Sequence, residues 1–321
     1  MKLVACLFVL VAVASAFRTE EQYRSLFEAW KGVHDREYVS EEEVARFGIF
    51  KERVDFIERH NADPTKTYTV SLNQFSDMTR AEWATQYLTL KLDNPSIVEP
   101  TPEKAVGGDG IDWRTKGAVN KIKDQGQCGS CWAFSAVSTA ESAWEIAGNK
   151  LESLSESQVV DCDNQNAGCN GGDPSSALDY IIKTGIESEK DYPYKDYDRS
   201  CAFNKNKVTD VRIKDYIKVS SGSEDDLGTK LEQCGPVSVC IDADHDGFMS
   251  YSHGIYKEDN CGTSMYDLDH AIVAVGYTDE AWIVRNSWGT SWGEQGYVNM
   301  ARNYGKGNMC GIATEAVCAV A

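Results

Sequence analysis

A short apolar leader in front of a cysteine-rich body constrains this chain more than any other feature. The leader runs from Leu3 to Ala14 behind Lys2 and closes on Ala14-Ser15-Ala16, a small-x-small cleavage pattern. About a dozen apolar residues cannot span a bilayer, so residues 1–16 read as a secretory signal peptide and not as an anchor. The remainder is then expected to fold in an oxidising compartment, where thiols pair. Of the 11 cysteines, Cys6 leaves with the leader and 10 remain. Spacing alone does not decide their connectivity.

The 321 residues suit one large domain or two small ones with an ample core. Charge excludes more. With 32 Lys and Arg against 50 Asp and Glu, a net charge of −18 and a pI near 4.7, the chain lacks the clustered positive field that nucleic acid and anionic membrane both require. No second long apolar run follows the leader, and 42% hydrophobic residues make a globular composition.

Two unequal parts follow the leader. Between Glu20 and His60, Phe47, Phe50, Val54 and Ile57 recur at helical spacing among charged residues, which predicts a long amphipathic helix. The acidic run Glu41-Glu42-Glu43 suits the solvated start of a helix, where carboxylates meet the positive end of the dipole. Pro95, Pro100, Pro102 and Gly107-Gly108-Asp109, without periodicity, predict a linker between Leu92 and Gly110.

The chemistry concentrates after that linker. Small and apolar residues dominate from Trp132 to Ala147 and Gly148 follows, which predicts a buried helix starting at about Cys131. A thiol at a helix amino-terminus feels the positive end of the dipole, and that favours the nucleophilic thiolate. On position alone, Cys131 could equally be half of a disulfide or an inert buried thiol. Cysteine-dependent acyl transfer also needs an imidazole to carry the proton and a third group to orient it. Among five histidines, His270 stands at the mouth of a strong predicted strand, Ala271 to Tyr277. A second predicted strand, Ala281 to Arg285, runs into Asn286-Ser287-Trp288-Gly289 and offers an amide to His270.

These residues carry a resemblance. Gln125-x-x-Cys128-Gly129-Ser130-Cys131-Trp132, Asp269-His270-Ala271 and Asn286-Ser287-Trp288-Gly289-x-x-Trp292-Gly293 resemble the motifs of papain-family, cathepsin L-like cysteine protease zymogens. Glu42, Arg46, Phe50, Ile57 and Asn61 fit the family's pro-region helix pattern, with Arg53 where Asn is usual. Ser71-x-Asn73-x-Phe75-x-Asp77 is similar to its second motif, with Ser71 replacing Gly. The resemblance implies an α+β, two-lobed papain-like fold, with a helical lobe, a β-barrel-like lobe and an N-terminal helical inhibitory pro-region. Expected boundaries are 1–16 for the signal peptide, 17–106 for the pro-region and 107–321 for the mature peptidase, cut between about Ala105 and Asp112.

It also implies roles. Cys131 is expected as nucleophile, His270 as base and then acid, Asn286 as its orienting partner and Gln125 as oxyanion donor. Gly171, Gly172, Asp173, Pro174, Cys240, Leu268, Ala271, Trp288 and Glu315 are expected to bind substrate, Glu315 at the floor of the pocket for the second residue before the scissile bond. The implied disulfides are Cys128–Cys169, Cys162–Cys201 and Cys261–Cys310. Cys234, Cys240 and Cys318 are left over; a Cys234–Cys318 pair is conceivable, and at least one of the three stays free or pairs with another chain. Expected partners are protein and peptide substrates, the chain's own pro-region and cystatin-type inhibitors, with a monomeric enzyme, no nucleic acid and no membrane. No cofactor and no metal are expected. Asp242-x-Asp244-x-Asp246-Gly247 imitates the start of a calcium loop, yet the twelfth position is His253 and not Glu. Asn94-Pro95-Ser96 is barred as a glycan acceptor by its proline, so a lysosome-like vacuole and secretion both stay open. The rival readings are a catalytically dead relative and an exopeptidase.

Overall fold

A computed structural model describes residues 18–92 and 110–321. The leader and most of the linker, including the cut site expected near Ala105, lie outside the described residues. In chain order the elements are α1 (Glu20–His34), α2 (Ser40–Ala62), β1 (Tyr68–Val70), α3 (Arg80–Tyr87) and β2 (Ile111–Asp112). Next come α4 (Cys131–Ile146), α5 (Glu156–Cys162), α6 (Pro174–Thr184), β3 (Asp215–Lys218), α7 (Glu224–Gln233), β4 (Val237–Ile241) and α8 (Asp246–Met249). The chain closes with β5 (Tyr251–Tyr256), β6 (His270–Tyr277), β7 (Ala281–Arg285), β8 (Tyr297–Ala301) and β9 (Ala316–Val320).

The helix expected from Glu20 to His60 is two helices. Asp35 takes a left-handed conformation at φ 51° and donates its N–H to the Lys31 carbonyl, ending α1. Arg36 then binds the Gln74 carbonyl and Tyr38 donates to Asp77, so the chain reverses before α2. The reversal folds one aromatic face onto the other: Phe27 lies 5.2 Å from Phe50, and both join Tyr23, Trp30, Phe47 and Val54 in a core of their own. Each such buried side chain contributes roughly 1.5–3 kcal/mol, ample to offset a local break.

Pattern residues of α2 lock this unit. Arg46 reaches Glu82 of α3 at 3.0 Å, and Asn61 pairs with both backbone groups of Val70. Arg53, the departure from the pattern, leaves the unit altogether. Its guanidinium is buried against α8, 2.8 Å from Asp246 and 3.3 Å from Ser250.

The sheet runs β1-β5-β8-β7-β6-β4-β9-β3, with β2 added on β6. The barrel-like lobe is an open curled sheet: β1 and β3 end the path and do not pair, so no barrel closes. β3 shows why it makes a solvent edge, since its residues alternate exposed and half-buried and Ile217 faces water. One core fills the sheet side, to which Phe75, Trp83 and Tyr87 of the N-terminal part contribute. A second surrounds α4, whose first 13 residues are all buried. Among the described residues no helix is long and apolar enough to cross a membrane.

The three implied disulfides are formed. A fourth joins Cys234, at the end of α7, to Cys318 in β9, which leaves Cys131 and Cys240 as the buried free thiols among the described residues.

Candidate active site

Helix α4 starts where expected. Ser130 leaves helical geometry at φ −112°, and Cys131 becomes the first helical residue, fully buried. Backbone groups of Ala271, Thr89 and Trp132 surround its sulfur and favour the thiolate. In the antiparallel pairing of β4 with β6, His270 stands opposite Ile241 and Ala271 opposite Cys240. Strand β7 follows in register with β6, Arg285 opposite Val273, and delivers Asn286 to the imidazole. His270 Nε2 lies 3.0 Å from Asn286 Oδ1. That atom is an oxygen because the Ser287 N–H also points at it, at 2.8 Å. Nε2 therefore carries the proton, and Nδ1, without a hydrogen-bond partner, keeps its lone pair. Trp288 stacks on the ring at 4.6 Å and 21° and shields this pair from water.

Gln125 is fully buried and held on three sides. Its N–H donates to the Ser287 carbonyl at 2.8 Å, its Oε1 accepts from Ser287 Oγ at 2.6 Å, and its Nε2 donates to the Cys128 carbonyl at 3.0 Å. An amide nitrogen has two hydrogens, so one stays available for a developing oxyanion. Tyr194 Oη donates to the Gln125 carbonyl at 2.8 Å and lies 2.8 Å from Ser130 Oγ. Ser287 lies inside the Asn286-Ser287-Trp288-Gly289 motif, but its bond to Gln125 does not show in sequence, and Tyr194 acts from a loop that no motif marks.

An extended strap, residues 89–92, crosses this site. Thr89 Oγ1 donates to the Gly129 carbonyl at 2.8 Å, the Leu90 N–H to the Asp269 carbonyl and the Lys91 N–H to the Gly172 carbonyl, both at 3.0 Å. Leu90 bridges Gly172 in the parallel sense. Gly171 sits at φ 111°, and a β-carbon there would collide with the Thr89 carbonyl, so glycine is required. Leu90 and Leu92 pack on a cluster of Cys131, Cys240, Leu268 and Ala271. Beneath it Asp173, Pro174, Cys240 and Glu315 line one pocket with Ser238 and Val317. Of the expected substrate-binding residues, Gly171 and Gly172 thus meet the strap, Cys240, Leu268 and Ala271 form the cluster with Leu90 and Leu92, and Asp173, Pro174, Cys240 and Glu315 line the pocket. Trp288 packs on His270, with Phe75, Trp83 and Tyr87 edge-on against it.

Residues 108–320 match the papain family cysteine protease domain, and residues 27–83 match the cathepsin propeptide inhibitor domain (I29). The chain belongs to the papain family of cysteine proteases. It is 42% identical over 329 residues to digestive cysteine proteinase 1 of Homarus americanus, covering 98% of each chain. Cysteine proteinase 5 of Dictyostelium discoideum is 39% identical over 337 residues, covering 97% of this chain and 96% of the relative. The structure of digestive procathepsin L 3 from Tenebrio molitor larval midgut superimposes with a TM-score of 0.85 at 38% identity, covering 93% of this chain and 99% of that one. The protein is a papain-family zymogen that carries its own inhibitory pro-region.

In this zymogen burial opposes charge on both Cys131 and His270. Burial raises the Cys131 thiol to about 11, against the backbone donors around its sulfur, and burial lowers the His270 imidazole to about 4, against its bond to Asn286. The helix dipole favours the thiolate, as the sequence led one to expect, but desolvation under the strap outweighs it. The acidic 242–246 stretch is no metal cradle either. Asp242 accepts from the Gly262 N–H, Asp244 pairs with Arg80 and Asp246 with Arg53, so the three carboxylates diverge. Two of their partners are pro-region arginines.

Proposed function

We propose that the mature enzyme is an endopeptidase using Cys131 as nucleophile, His270 as proton carrier, Asn286 as its orienting group and Gln125 with the Cys131 N–H as oxyanion donors. The observation that carries this reading is the His270–Asn286 pair, whose unpartnered Nδ1 belongs to the ring beside Ala271, a residue that packs in one buried cluster with Cys131. Once the strap leaves, water restores charge: Cys131 passes its proton to Nδ1, and the thiolate attacks the substrate carbonyl. The imidazolium then protonates the leaving amine, and water, deprotonated by His270, hydrolyses the thioester. A donor to the oxyanion contributes about 3 kcal/mol to such a step.

The proposed parts are a leader at 1–16, a pro-region at 17–106 and a mature peptidase at 107–321, made in the secretory pathway for a lysosome-like vacuole or export. A monomer inhibited by cystatin-type proteins fits this reading. An endopeptidase is favoured over an exopeptidase because the sequence offers no surplus segment or histidine pair to block one end of the cleft. At the pocket floor Glu315 is held by Lys218 at 2.6 Å. The pocket accepts large apolar residues directly, and Arg by taking the ammonium's place on the carboxylate. Loss of turnover of a general peptide when Cys131 is alkylated tests the reading; activity surviving full alkylation overturns it.

A further inference from the structure

We propose that Lys218 is a resident counter-ion of the pocket for the second residue before the scissile bond, and that it sets how far this pocket takes Arg over apolar side chains. The proposal rests on the reading of that pocket given above and adds a residue to it. Lys218 comes from β3, which belongs to none of the sequence motifs around the nucleophile or the imidazole. Its place follows from register: in the antiparallel β3–β9 pair Lys218 stands opposite Val317, so its side chain shares a face with Val317 and with Glu315 two residues before it. From there Nζ reaches Glu315 Oε1 at 2.6 Å. The carboxylate is 6% exposed and the lysine 20%, so the pair is largely screened from water but the lysine keeps a route out.

Two further features make this pair a reader of substrate charge. Asp173, the N-cap of α6, lies near enough for its charge to act on Glu315 and on Cys240 of the pocket wall. The floor thus combines two carboxylates and one ammonium. An apolar side chain settles higher, on Cys240, Leu268 and Ala271, where Leu90 and Leu92 of the strap pack now, and leaves the ion pair intact. An arginine needs the carboxylate that Lys218 occupies, and the ammonium also repels its guanidinium. Lys218 therefore penalises Arg and leaves apolar residues unaffected.

The test compares kcat/KM for Arg-Arg and Phe-Arg fluorogenic peptides, using mature enzyme processed from the full chain. Lys218→Met should raise the Arg-Arg to Phe-Arg ratio by about tenfold, equivalent to about 1.4 kcal/mol. In a Glu315→Gln background the same change should move the ratio by less than about threefold, because the carboxylate that Arg would reach is gone. Lys218→Arg, which keeps a cation on Glu315, should stay near the wild-type ratio, and Lys218→Gln stands in if the methionine variant does not fold. An unchanged ratio in Lys218→Met, or a full rise that persists without Glu315, overturns the proposal while both peptides are still cleaved. A wild-type enzyme that cleaves neither peptide overturns the protease reading and this proposal with it.

Discussion

Replacing Arg53 with Asn, the residue usual at that point of the pro-region pattern, removes a contact that joins α2 to α8. The guanidinium is 7% exposed and spans from α2 to α8, meeting Asp246 at 2.8 Å, Ser250 Oγ at 3.3 Å and Met249 Sδ at 3.1 Å. A hydrogen bond to a charged group contributes about 1.5–3 kcal/mol. Asp246, however, is 43% exposed, so water screens the pair and the lower end of that range applies. At about 1.5 kcal/mol the population with the pro-region lifted rises roughly tenfold, since 1.4 kcal/mol is a factor of ten. Cys131 reports that population, because the closed zymogen keeps its thiol buried and protonated under Thr89. The assay is the rate at which iodoacetamide alkylates Cys131 in the full chain at neutral pH and low reagent. Arg53→Asn should react roughly ten times faster than wild type, whereas Arg24→Asn, at an exposed i,i+4 pair, should match it. An Arg53→Asn rate within twofold of wild type would refute the view that this arginine latches the pro-region.

Processing should accelerate as pH falls from about 5 to below 4.5. For Glu82, burial is outweighed by the Thr79 N–H and the Arg46 guanidinium, which hold its carboxyl below the usual 4.5; the stability it gives the pro-region is present above that value and lost as pH falls through the lowered one. In the mature part burial raises Asp269 and Glu156 to about 7, so their folded forms hold more protons than the unfolded chain and gain stability as pH drops from about 7. Acid thus favours the peptidase and, below about 4.5, loosens the inhibitor; a processing rate on gels that is flat or slower as pH falls through that value contradicts this. Separately, Cys234→Ser with Cys318→Ser opens a bridge spanning 84 residues and should cost about 2–5 kcal/mol in denaturant unfolding of the mature enzyme. A change under about 0.5 kcal/mol would mean that the bridge constrains little.

What was legible in the sequence was local. The helix from Cys131 and the strands after His270 and before Asn286 follow from short-range pattern, and the three motifs bring nucleophile, imidazole and amide into one family frame. What was not legible depends on distant segments meeting. The Asp35 break uses a left-handed non-glycine residue, which carries no Gly or Pro signal, and it forms because the α1 and α2 aromatics gain by stacking. Burial, including burial under a strap about 40 residues upstream, opposes charge on Cys131 and His270 and outweighs the dipole at the start of the helix. Lys218 reaches Glu315 only through the β3–β9 register, and Arg53 shows its purpose only against α8. The Cys234–Cys318 bridge was one possibility among several until α7 and β9 were brought together.

Turnover by Cys131→Ala tests the central claim most directly. The variant is made as the full chain, its pro-region is cut in trans by wild-type enzyme, and the freed mature part is separated before kcat/KM is measured on Phe-Arg. A folded protein that cannot process itself and shows activity at least about a thousandfold below wild type is the expected result, since loss of a nucleophile removes most of the rate enhancement. Residual activity within about tenfold of wild type would contradict the assignment of Cys131.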